Sequence, residues 1–103
     1  MGLSKLDKST LEEIIADAKS HIPREKVTFE NIKVRNLMGI YDLEEFLFGM
    51  IYGEITTHFE DYYFSKYQRT PDKSEINEIV EILTNKLKDI REIIDLQMQA
   101  LWF

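Results

Sequence analysis

The chain has 103 residues, 19 acidic against 13 basic, for a net charge of −6, with 44% hydrophobic and 31% charged side chains. That balance describes a globular chain rather than a disordered one, and its length leaves room for a single domain over residues 1–103. The charge makes nucleic acid a poor partner, and the absence of cysteine excludes disulfides and thiolate chemistry.

The longest uncharged apolar stretch, residues 46–53, falls far short of the ~20 residues a membrane span needs, so no membrane partner is expected. The opening Met1-Gly2-Leu3-Ser4-Lys5-Leu6 lacks the apolar core of a signal peptide, and Leu6 stands where a myristoylation motif wants Ser or Thr. The expectation is a cytoplasmic protein.

The first helix signal is Ser9-Thr10-Leu11-Glu12, which reads as a capping box. Leu11, Ile14, Ile15, Ala18 and Ile22 then recur at helical spacing until Pro23, giving a helix over 9–22. The stretch Val27 to Met38 is ambiguous. Val27-Thr28-Phe29 and Ile32-Lys33-Val34 alternate as strands of a hairpin would. Thr28 as N-cap, Val27 and Ile32 as a hydrophobic staple, and Gly39 as the stop favour a short helix over 28–38.

Asp42 with Glu45 opens a third helix over 42–68, some 40 Å long at 1.5 Å per residue. Its first half gathers Leu43, Leu47, Met50 and Ile51 on one side. In the second half Glu54, His58, Asp61 and Ser65 take over that side. Thr70 then caps a fourth helix over 71–101, with Pro71 at its first position. Along it Ile76, Val80, Leu83, Leu87, Ile90, Ile94, Gln97 and Leu101 alternate spacings of four and three, and Ile79, Ile82, Ile93 and Met98 widen the stripe. The connection is short and the two helices match in length, which predicts antiparallel packing. The predicted fold is therefore all-α: an antiparallel long-helix hairpin with two shorter N-terminal helices, completing a helical bundle as a homodimer.

Glu54, His58 and Asp61 are the one constellation with chemical potential. Spaced by four and three, they project within a ~60° wedge, and carboxylate–imidazole–carboxylate is a donor set for a divalent metal. One helix cannot close the coordination shell, so a second helix or a second copy must complete it. The bland alternative is a Glu54–His58 pair on a solvated stripe. Otherwise no cofactor is indicated. No nucleophile–base set and no glycine-rich phosphate loop stands out.

Gly49, Gly53 and Thr57 form a small-residue groove that suits a close neighbour, either a ring of the same chain (Phe29, Tyr41 or Trp102) or a second subunit. The aromatic residues of the third helix, Tyr52, Phe59 and Tyr63 among them, point to several sides and exceed what one hairpin covers. With Leu87 in the seam and the terminal Leu101, Trp102 and Phe103, they define a candidate interface. The sequence thus predicts a non-enzymatic helical interaction or assembly module, most simply a homodimer that also engages a protein partner. Its alternative is a small helical bundle binding a metal or ligand through Glu54, His58 and Asp61.

Overall fold

The computed structural model describes residues 2–99. They form five helices, α1 (Lys5–Ser20), α2 (Ile22–Glu30), α3 (Ile32–Met38), α4 (Leu43–Tyr67) and α5 (Lys73–Gln99), with no strand among the described residues. The protein is all-α, with one helix more than the predicted four.

Each departure has a local cause. Ser4, not Ser9, caps α1: its side chain accepts from the Asp7 amide at 3.0 Å while Asp7 accepts from the Ser4 amide at 3.1 Å. The earlier start makes one more turn and places Leu3 and Asp7 in the interior. Pro23 does not end the helical run. It sits in the first turn of α2, where its missing N–H has no partner to lose, and His21 is at once the end of α1 and the cap of α2. The break falls instead at Asn31, whose backbone turns extended (ψ 125°) and whose side chain accepts from the Lys33 and Val34 amides. Thr28, expected as a cap, therefore lies inside α2 and donates to the Arg24 carbonyl. Asp72 rather than Thr70 opens α5, through a reciprocal pair with Glu75 at 2.9 Å in each direction. Gly39 ends α3 at φ 67°, and Asp42 caps α4.

Helix α4 is the organising element and packs on α1, α2 and α5. Its buried residues are Leu43, Leu47, Ile51, Ile55, Phe59 and Tyr63, a series spaced strictly by four. On a helix of 3.6 residues per turn such a series advances about 40° per step, so the buried stripe winds through roughly 200° along the helix. Leu11, Ile15, Ala18 and Ile22 close on it from α1 and the start of α2, and Leu83, Ile90 and Ile94 from α5. Each buried leucine, isoleucine or phenylalanine among them contributes roughly 1.5–3 kcal/mol relative to exposure. Near the two ends of α4 the helices are tied by polar contacts. Arg91 donates to Glu45 at 2.7 Å, and the Tyr63 hydroxyl donates to Glu75. The body is elongated, 48 × 25 × 18 Å. No helix among the described residues is long and apolar enough to cross a membrane.

Candidate interaction site

The winding stripe on α4 has a consequence for α5. Its buried positions are Glu75, Leu83, Ile90 and Ile94, which leaves Ile76 and Val80, the first members of the heptad seam, at the surface. They are 48% and 49% exposed, and across from them on α4 Phe64 is 53% and Tyr52 37% exposed. Together they wall a groove of about 550 Å³ whose floor is Leu11, Ile55, Phe59 and Leu83. Glu60 and Asp61 supply its charge, with no Lys, Arg or His in the lining. An apolar groove with an acidic edge is chemistry for holding an apolar segment flanked by cations.

The sequence-predicted residues divide around this groove. Tyr52 walls it and Phe59, buried in the core, forms part of its floor, while Tyr63 is enclosed in the core away from it and Leu87 is half-buried against that core. A Cβ built on Gly49 or Gly53 meets nothing within 4 Å, so no ring of the described residues fills the small-residue groove. Phe29 packs on Phe46 instead, with ring centroids 5.1 Å apart, and Tyr41 is almost fully exposed. Leu101, Trp102 and Phe103 lie outside the described residues.

Glu54, His58 and Asp61 are not brought together. As the core stripe moves on to Ile55, Phe59 and Tyr63, the polar side turns outward, leaving His58 and Asp61 exposed. Glu54 is half-buried and meets His21 rather than His58, its Oε1 2.8 Å from Nδ1, while Asp17 approaches the other ring nitrogen at 3.7 Å. Among the described residues no three His, Asp or Glu side chains gather in a way that could hold a metal ion.

Two carboxylates that sequence reasoning missed are nearly removed from solvent. Asp7 accepts from the Tyr62 hydroxyl at 2.8 Å, the Tyr67 hydroxyl at 2.7 Å and Lys66 Nζ at 3.0 Å, besides the Ser4 amide. Burial alone would raise its pKa, but these donors together outweigh burial and hold the carboxyl well below the usual range. Glu75 receives Arg69, the Tyr63 hydroxyl and the Asp72 amide. The Arg69 hydrogen bond leads in lowering it to about 2, against its burial. Burial first, then Glu75, pushes the Tyr63 phenol up to about 12. Ser4-x-x-Asp7 and Asp72-x-x-Glu75 were readable as caps, but nothing local announced the tyrosines that seal them. Both carboxylates are met by several donors from distant parts of the chain, so these clusters tie α1, α4 and α5 together.

Compared with protein-family models, with curated proteins and with solved structures, the chain matches none.

Proposed function

We propose that this protein is a non-enzymatic interaction and assembly module whose working surface is the groove between α4 and α5. The observation that carries this reading is the exposure of Tyr52, Phe64, Ile76 and Val80 around one apolar depression, in a chain of only 103 residues. The Glu45–Arg91 and Tyr63–Glu75 contacts support reading α4 and α5 as an antiparallel hairpin. A second copy is the simplest cover for the open part of that hairpin, which would make the working form a homodimer. A metal-centred role would need another chain to bring ligands to His58 and Asp61.

The test is sedimentation across the micromolar range, on the natural chain and on a variant carrying Ile76→Asp and Val80→Asp. Both positions are half exposed, so the variant should melt close to the natural chain while losing self-association or partner capture. A single 12.3 kDa species for the natural chain at every concentration, with no partner retained, would remove the reading.

A further inference from the structure

The longest acid-free run of this acidic chain lies between Glu30 and Asp42, and it contains α3. None of the α3 side chains is buried. Ile32 is 67%, Leu37 89% and Met38 53% exposed, and Tyr41 just beyond is 96% exposed. Lys33 and Arg35 are the two charged side chains of α3, and both belong to the larger group of cations that form no ion pair among the described residues, outside Arg24, Lys26, Lys66, Arg69 and Arg91. Helix α3 is thus a small cationic apolar knob seated on α2. The groove is its complement: apolar, with Glu60 and Asp61 unpaired among the described residues and no cation in the lining.

Knob and groove of one chain stand apart. The knob is joined to the first residue of α4, and Glu60 and Asp61 lie about 26 Å further along that helix at 1.5 Å per residue. With a body 48 Å long, two copies laid antiparallel would bring each knob to the other's groove. Resting on the reading of the groove as an interaction surface, we infer that its occupant is α3 of a second copy, exchanged reciprocally about a twofold axis. In such an isologous pair each contact occurs twice, so two knobs are covered and two grooves filled. Lys33 and Arg35 meet Glu60 and Asp61, while Ile32, Leu37 and Met38 enter between Phe64, Ile76 and Val80. The charge pairs set register and make association weaken with salt, and the apolar side chains supply the cohesion.

Charge reversal tests this directly. One variant carries Lys33→Glu and Arg35→Glu, the other Glu60→Lys and Asp61→Lys. Lys33, Glu60 and Asp61 are exposed and Arg35 half-buried, so circular dichroism and melting of both should stay near those of the natural chain. Each variant alone should self-associate at least about tenfold more weakly than the natural chain, since like charges then face each other in both contacts. Mixed in equal amounts they should form a two-chain particle, because every contact again pairs opposite signs. If the Lys33/Arg35 variant self-associates normally while Ile76→Asp with Val80→Asp does not, the groove reading stands and the α3 assignment falls. If the mixture stays monomeric, or if reversal abolishes binding to anionic vesicles while the natural chain never self-associates, the inference is overturned.

Discussion

A carboxylate taken out of water persists only where hydrogen bonds replace the hydration it gives up. Asp7 meets that condition at both oxygens: Oδ1 takes Tyr62 and Lys66, and Oδ2 takes Tyr67 and the Ser4 amide. It also lies in the first turn of α1, where the helix dipole favours a negative charge. Asp7→Asn keeps the size but turns an amide NH2 toward groups that are themselves donors, and it strips Lys66 of its counter-charge. The expected loss is about 2–4 kcal/mol, read as a lower urea midpoint with helical content in water retained. Lys66→Met should cost less, because Asp7 keeps the Tyr62 and Tyr67 hydroxyls and the Ser4 amide as donors, and the lysine that is lost is one-third exposed. If Asp7→Asn unfolded at the same urea concentration as the natural chain, the carboxylate would hold nothing together.

At the scale of elements, α4 carries two glycines whose cost no contact among the described residues recovers. A glycine inside a helix is less favourable than alanine by roughly 0.5–1 kcal/mol, and an added Cβ at Gly49 or Gly53 meets open space. Gly49→Ala and Gly53→Ala should therefore each raise the melting temperature of dilute protein, together by about 4–10 °C. A drop instead would mean that another backbone or ring approaches those positions. What the sequence discloses about these elements depends on how local the signal is. The start of α4 at Asp42 and the stop of α3 at Gly39 are cap chemistry and could be read directly. The α5 seam was legible as a stripe, though not the exposure of Ile76 and Val80, because a seam says which side is apolar and not how far a neighbour follows it. Helix α4 itself is apolar on several sides, so only its neighbours decide that the series Leu43 to Tyr63 is buried. Spacing alone offers Glu54 the neighbour His58, whereas its partner in the fold, His21, lies 33 residues away. Tyr62 and Tyr67 reach Asp7 across 55 and 60 residues, which no periodicity reveals.

The whole molecule is pinned at one end by buried carboxylates. Asp7 ties the start of α1 to the last turns of α4, and Glu75 ties the start of α5 to Tyr63 and Arg69. At the other end the Arg91–Glu45 pair is exposed, at 42% and 57%, and surface pairs of this kind add little. The pinned end should thus respond to pH. A carboxyl whose folded pKa lies below its unfolded value stabilises fully above the unfolded value and loses that contribution as pH falls through the folded one. For Glu75 the window runs from 4.5 down to about 2, and Asp7, lowered from 3.8, extends it further. The Tyr63 phenol sets the alkaline limit, since a raised pKa contributes below 10 and is lost as pH climbs toward about 12. Stability should therefore be level between about pH 5 and 10, with an acid limb carrying up to roughly 3 kcal/mol from Glu75 alone. Amide exchange should show the first turns of α1 and α5 losing protection before the first half of α4. Glu75→Gln is the decisive comparison: it should be less stable at pH 7 and converge on the natural chain as pH falls toward 2. Curves that ran parallel down the acid limb would assign the transition to other carboxyls and remove Glu75 from the set that holds this end closed.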